Sequence, residues 1–475
     1  MTPLTKAMLV LGVGVVAWSA PLIAVRATDG GRTTADEPQY LLTALSLGED
    51  RSLDIRDERA DERHRVFHEA GLPLQENLQP DGSRVSPHDP LLPAVLAAPM
   101  VLGGWVAAKL TLAASAGALA AAMLWVAVRR FGVPLSVAVL AVAAYSFAAP
   151  LAVYGTQVYP ELPAALAVTV AIGAIAGPVD RRAVVVLGAA VLALPWLAVK
   201  YLPVAAALVL VGAVRLWARD RRMLAALGVG LGAGAVLYLV AHQAWYGGWT
   251  AYASGDHFVA GEFGAIGFDP DYGGRAQRLT GLLVDRGFGL AAWQPAFLLA
   301  VPALAALLRR RPPGWSALAV PLAAGWLTAT FVALSMHDWA WPGRQVVVVT
   351  PCLVLAVAWW AGRVKAARPW LVAGAALGAL TFAWLTVDGL AGLRLVTNFE
   401  TTTNPVYRLW RHALPDGLGL PAGTVALRAL WYGLLALLAV LGVRSVRPAR
   451  STTSTPNPEL EPDPREEEKC VLVPS

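Results

Sequence analysis

Cysteine is almost missing from this chain: two in 475 residues, Cys352 inside an apolar run and Cys470 near the C-terminus. The topology derived below puts both on or near the cytoplasmic side, which argues against a structural disulfide. The ending Cys470-Val471-Leu472-Val473-Pro474-Ser475 also places its cysteine too early for a prenylation box. Charge is scarce too, at 15% of residues, where soluble domains carry about 25%. The seven histidines show no zinc-ligand spacing. A phosphate-binding P-loop, a dinucleotide fingerprint and a nucleophile elbow are all missing, as is the inverted repeat common in transporters. These gaps exclude a soluble multidomain enzyme and the common nucleotide and hydrolase chemistries.

What the chain has is hydrophobicity in blocks. Hydrophobic residues make up 57% of it, and its mean hydropathy is +0.55. They come in runs of about 18 to 22, enough for a helix to cross the hydrocarbon core of a bilayer. The reading is an all-α polytopic membrane protein with about 12 transmembrane helices. The expected spans are 6–25, 106–128, 134–153, 160–178, 183–199, 201–217, 223–244, 288–308, 315–334, 345–362, 370–388 and 424–443. A cleaved signal peptide is the rival for the first, opposed by its long core and by Arg26 at the cut. Residues 90–103 are apolar but interrupted by Pro90, Pro93 and Pro99, which suits a helix at the interface.

The net charge of +6 and pI near 9.4 do not signal nucleic acid, because the basic residues sit in short clusters beside the apolar runs. Arg129-Arg130, Arg181-Arg182, Arg215 to Arg222, Arg309 to Arg311, Arg363 to Arg368 and Arg444 to Arg450 fall at alternate span ends. The positive-inside rule makes that side cytoplasmic, together with both termini. The opposite loops are 27–105, 154–160, 245–287, 335–344 and 389–423. A transmembrane domain over 1–443 is thus expected, with 27–105 as its first extracytoplasmic loop. The tail, 444–475, is rich in Ser, Thr, Pro and Glu and is expected to be disordered in the cytosol.

Residues able to do chemistry gather in those opposite loops. Asp36 and Glu37 precede Pro38 just beyond the first span. Asp36 reads either as a helix N-cap with Pro38 in the first turn or as a base facing a cavity. Glu161, in Gln157-Val158-Tyr159-Pro160-Glu161-Leu162-Pro163, either complements a helix dipole or is a functional acid at membrane depth. Lys200, between Trp196 and Tyr201, either snorkels in the aromatic belt or meets a lipid phosphate. Weaker candidates are His88-Asp89-Pro90; His337, Asp338 and Trp339 with Arg344; and Asp256, His257, Asp269 and Asp271 in a loop with Tyr246, Trp249 and Tyr252. That last loop suits sugar stacking as well as an ordinary membrane girdle.

Taken in order, these segments resemble the GT-C glycosyltransferases, especially the bacterial branch related to protein O-mannosyltransferases and the aminoarabinose transferase of lipid A. The likeness covers most of residues 1–365. Asp36-Glu37-Pro38-Gln39-Tyr40 looks like that family's catalytic acidic motif. Ser86-Pro87-His88-Asp89-Pro90-Leu91 is similar to the segment opening its interfacial helix, with His88 where related enzymes often carry lysine. Tyr159-Pro160-Glu161 resembles its second acidic site. Leu194-Pro195-Trp196-Leu197-Ala198-Val199-Lys200 is similar to its phosphate-binding lysine segment. Leu282-Leu283-Val284-Asp285-Arg286-Gly287-Phe288-Gly289-Leu290, and Arg344 with Pro351, look like later motifs. A large C-terminal extracytoplasmic domain of the kind some members carry is not expected, which would leave acceptor recognition to the outer loops.

The resemblance implies a GT-C-like helix bundle with juxtamembrane helices in the first outer loop. It also implies a hexosyl- or pentosyltransferase at the extracytoplasmic face of the cell membrane. The donor would be a polyprenyl-phosphate sugar, and the acceptor a glycan, lipid or protein. Asp36, Glu37 and Glu161 would be catalytic; Lys200, His88, Tyr40, Tyr159, Arg344 and Arg286 would bind substrate. No cofactor is required, although the acids are able to hold a divalent metal. A transporter or lipid flippase is the alternative, but it predicts charges near mid-bilayer. A glycan polymerase or ligase would carry its largest outer loop late in the chain, whereas here it comes first.

Overall fold

The computed structural model describes residues 1–259, 270–337, 339–417 and 422–446. Asp269, Asp338 and most of the expected tail lie outside these. The elements among the described residues are helical, with only isolated β-bridges in the loops. In chain order they are α1 Pro3–Ser19, α2 Glu37–Glu49, α3 Arg56–Ala60, α4 Leu91–Arg129, α5 Leu135–Ser146, α6 Leu151–Tyr154, α7 Glu161–Ile175, α8 Arg181–Leu197, α9 Leu202–Arg219 and α10 Arg221–Tyr246. There follow α11 Tyr272–Ala276, α12 Arg278–Val284, α13 Leu290–Trp293, α14 Ala300–Arg310, α15 Trp315–Leu327, α16 Thr350–Arg363, α17 Arg368–Leu390, α18 Pro405–Trp410 and α19 Ala422–Ser445.

Eight of the described helical segments are long and apolar enough to cross a membrane. They are Pro3–Ala24, Leu91–Arg129, Val199–Arg219, Arg221–Tyr246, Trp315–Val332, Arg344–Arg363, Lys365–Leu390 and Thr424–Ser445. The structure therefore does not establish the expected count of twelve. The remaining stretches, 134–153, 160–178, 183–199 and 288–308, appear as the shorter helices α5, α7 and α8 and as a broken run. In that run, Gln294 is extended at φ −139° and ψ 92° before Pro295, splitting α13 from the helix that resumes at Ala300. The residue before a proline is pushed out of the helical region, a break that a hydropathy window passes over.

As expected, residues 91–102 form a helix set off from the span that follows by non-helical backbone. They make the first part of α4, which is 39 residues long and kinked at Gly103 (φ −148°, ψ 17°) and Gly104 (φ 63°, ψ −161°). The Gly104 conformation is open in practice to glycine alone. The two parts of α4 carry different partners. Gly48 of α2 lies against Ala97 and Val101 of the first part, while Gly12 of α1 meets the backbone of Gly117 in the second. Small residues at a crossing let helix backbones approach closely, a packing common in membranes. At the heart of the bundle is α16: in the apolar stretch of Arg344–Arg363, 89% of residues are buried within the protein, against 11% in those of Arg221–Tyr246 and Thr424–Ser445. The residues that open this central segment are thus held from all sides.

Candidate active site

Chain geometry brings the start of four elements together: α2, α7, the turn before α9, and the 3-10 turn Arg344–Val349 that leads into α16. Asp36 stands at the N-terminal boundary of α2 but makes no capping hydrogen bond to its amides. Its carboxylate turns instead to Arg344, whose Nη2 donates to Oδ2 at 2.6 Å. The helix-cap reading of Asp36 thus fails on geometry. The same guanidinium donates through Nε to Glu161 Oε1 at 2.9 Å. Lys200 Nζ donates to that same oxygen at 2.6 Å. Glu161 is fully buried, and its other oxygen, Oε2, has no hydrogen-bond partner; neither has the buried hydroxyl of Tyr201 beside it in sequence to Lys200.

Aromatic rings frame these charges. Arg344 lies over the Tyr159 ring at 4.1 Å, and Lys200 over the Tyr201 ring at 5.4 Å, contacts that stabilise desolvated cations. His88 stacks on Tyr40 with ring centroids 4.8 Å apart. Its Nε2 sits 3.8 Å from Asp36 Oδ1 and 3.1 Å from Gln75 Oε1. Two acids and two cations from distant parts of the sequence, with His88, Tyr40 and Tyr159, therefore form one cluster.

The backbone before Asp36 is held unusually firmly. Ala35 adopts a left-handed φ of 48°, a strained conformation for a residue with a Cβ. Glu37 Oε2 accepts from Thr34 N at 2.9 Å, and its Oε1 accepts from Val158 N at 2.7 Å. Tyr159 donates its hydroxyl to Thr34 O, and Gln75 donates to Ala35 O. Glu37 thus ties the Asp36 turn to the segment leading into α7. Both of its oxygens accept from backbone amides, while Lys109 and Arg344 act on it through their charge.

Arg344 and Lys200 are positioned in turn. Gly343 takes a left-handed φ of 88°, with Leu290 so close that a Cβ would sit 2.9 Å from it. Just before it, Trp341 packs on Trp293 and accepts at its carbonyl from Tyr154 OH at 2.6 Å. The Lys200 turn is held by Asp89, whose Oδ2 accepts from Val199 N at 2.9 Å. Asp89 Oδ1 accepts from Tyr238 OH at 3.2 Å and lies 3.1 Å from His242 Nε2. Sequence reasoning named Asp89 but did not find its partners; Tyr238 and His242, i and i+4 on α10, were a polar stripe that gave the only signal. Arg286 lies apart: it pairs with Asp416, and no described contact joins it to the cluster. His257 and Asp271 belong to other loop contacts, and Asp256 is exposed.

The charges set the protonation states. Burial pushes the Asp36 carboxyl up, but Arg344, with His88 and Lys200, overrides it and holds it down at about 2. Burial lowers the His88 imidazole from its ordinary value despite Asp36, and raises the Glu37 carboxyl despite its amide partners. Asp36 is thus held as a carboxylate, and burial makes the His88 imidazole beside it harder to protonate.

The arrangement of helices is shared with solved structures. ArnT from Cupriavidus metallidurans bound to undecaprenyl phosphate superposes with a TM-score of 0.55, at 16% identity over 92% of this chain and 73% of that one. The apo state of the same protein gives 0.54, at 17% identity over 93% and 74%. The fold is like that of ArnT. No family model and no curated protein matches the sequence. In this ArnT-like fold the acids and cations above converge where α2, α7 and the Arg344 turn meet.

Proposed function

We propose that this protein transfers a sugar from a polyprenyl-phosphate donor to an acceptor, with inversion, at the extracytoplasmic face of a membrane. The observation that carries the reading is the double bridge of Arg344 to Asp36 and Glu161, joined at Glu161 by Lys200. A glycosyl transfer from a phosphate needs a carboxylate for the acceptor hydroxyl and fixed positive charge for the departing phosphate. One cluster here supplies both. The fold shared with ArnT, one of whose structures is bound to undecaprenyl phosphate, supports a donor of that chemical class.

The step balances simply. The acceptor hydroxyl gives its proton to Asp36 as its oxygen bonds to the sugar C1. The bond from C1 to the phosphate oxygen breaks, and its electron pair leaves with the phosphate, facing Lys200 and Arg344. An incoming phosphate competes with Asp36 for Arg344, so donor binding relieves the carboxylate of its main counter-charge and makes it a better base. His88 and Tyr40 line the approach to Asp36 and Tyr159 shelves Arg344, which suits contact with sugar and donor. Glu37 supports the base rather than reacting. The reading needs no metal at this cluster. Arg286, bound to Asp416, has no place in this step.

The test is a purified protein in lipid with a polyprenyl-phosphate sugar and its co-purified acceptor lipids identified by mass spectrometry. Transfer that depends on Asp36 is the expected result. Coupled movement of ions or lipid across proteoliposomes, with no transfer, would establish the transporter reading instead.

A further inference from the structure

Outside the cluster, the first loop contains a second set of acids with a different character. Asp50, at the end of α2, and Asp57 and Glu58, in the first turn of α3, bring one carboxylate oxygen each to within 4.8 Å of one another. Asp50 and Asp57 are exposed, but Glu58 is only 2% exposed. Both Glu58 oxygens are buried with no hydrogen-bond partner from another element, Asp57 of the same cluster being the side chain that faces them. A buried carboxylate without partners is costly, and adjacent acids add repulsion.

The neighbouring arginines pair with other acids and reach these only through their field. Arg56 pairs with Asp54 and donates to Gly82 O. Arg59 pairs with Glu76. Arg63 makes a two-pronged pair with Glu49, at 3.1 and 3.0 Å. Among the described residues no ion pair includes Asp50, Asp57 or Glu58. Three converging carboxylates, one of them driven inward, are left facing one another while Arg56, Arg59 and Arg63 are each paired with another acid.

We propose that Asp50, Asp57 and Glu58 bind a divalent cation, of which Ca²⁺ fits best. Its preference is for hard oxygen ligands in a flexible shell that water completes. The two exposed aspartates leave room for that water, and the buried glutamate supplies the fixed ligand. The ion ties the far end of α2, the helix that begins at Asp36, to α3. This site is separate from the transfer reading and stands or falls without it, since none of its ligands belongs to the Asp36 cluster.

Purified protein is stripped with EDTA, dialysed, and titrated with Ca²⁺ alone, reading bound ion by equilibrium dialysis and stability by thermal unfolding. The expected result is one Ca²⁺ per chain with Kd on the order of 10⁻⁴ to 10⁻³ M, the range of extracellular modules, and a rise in Tm. Glu58→Gln, and separately the exposed pair Asp50→Asn with Asp57→Asn, should each weaken binding by about tenfold or more, since ligand charge sets affinity. The aspartate pair is at the surface, so its variant reports binding even if Glu58→Gln folds poorly. Binding that persists unchanged in both variants places the ion elsewhere and overturns the proposal. So does a parent that neither binds nor is stabilised, with Glu58→Gln melting higher in EDTA; that result means Glu58 is held protonated against Asp57.

Discussion

Arg344 donates to Asp36 at 2.6 Å across 308 positions of chain, and turns the other edge of the same guanidinium to Glu161. A planar fork that meets two carboxylates at once fixes their relative placement, which a lysine's point charge does not do. The cluster is therefore a built arrangement with a single keystone, and its removal has readable consequences.

The base is the first of these. Asp36→Asn keeps size and one hydrogen bond to Arg344 yet cannot take a proton. Transfer should fall by about 10² to 10⁴-fold, with lipid binding and folding retained. A rate near that of the parent in a transfer assay would remove Asp36 from the role of base.

Glu37→Gln should behave differently. Its carboxylate serves the Thr34 and Val158 amides, and an amide side chain has one oxygen for the two of them. The expected result is a loss of about 1 to 3 kcal/mol of stability, from leaving a buried donor unpaired, with a milder fall in transfer than for Asp36→Asn. Thermal or denaturant unfolding of the purified variant measures it. A variant as stable as the parent, but inactive, would move Glu37 into the chemistry.

The acidic limb of the rate profile reports on Arg344. With the guanidinium in place Asp36 is held at about 2, so it stays ionised across the working range. In Arg344→Gln the burial that pushes it up is no longer opposed, and its pKa rises. Residual transfer should therefore lose its acidic limb at higher pH than the parent does. The stability sign is the same: the parent gains from Asp36 ionisation above its unfolded pKa near ~3.9 and loses that gain as pH falls through about 2. Coincident acid limbs in parent and variant would contradict the pairing.

Lys200 and Asp89 form a matched test. Lys200→Ala removes a cation from the departing phosphate and should weaken both donor binding and turnover. Asp89→Asn leaves Lys200 in the chain but weakens the hold of Asp89 on the Val199 amide. Its effect should fall on KM for the donor more than on kcat, since a displaced binding group costs ground-state and transition-state contacts alike. Normal donor use in both variants would return Lys200 to the role of a belt lysine.

Orientation is checked by labelling. A cysteine introduced at Ala60 should react with an impermeant reagent on intact cells, while one in the C-terminal tail should not. The reverse pattern would invert the topology.

Much of the site was legible because charge is rare in this chain. Asp36, Glu161, Lys200 and Arg344 stood out as polar residues at span ends, and charge alternation put them on one side. Their meeting point was not legible: that Arg344 bridges both acids depends on α7 and the α16 entrance packing together. The setting of Glu37 was hidden for a related reason, since sequence shows a carboxylate but not the two amides that occupy it. Arg286 sat in a motif that looked alike yet folds onto Asp416. The helix count fared worst. Hydropathy measures how apolar a stretch is, and it cannot register that Gln294 extends before Pro295 or that the helix of 134–153 stops at Ser146.

The break in α4 carries a consequence of its own. The part before Gly103 supports α2, and so the base of the site; the part after Gly104 supports α1. The angle between these two supports is written into two residues that bear no side chain. Replacing Gly104 by alanine would swing the shelf beneath Asp36 while every acid, cation and ring of the cluster stayed in the sequence. Inheritance of this site therefore runs through a hinge as well as through its charges, and a survey that tallied reactive residues alone would count such a variant as intact.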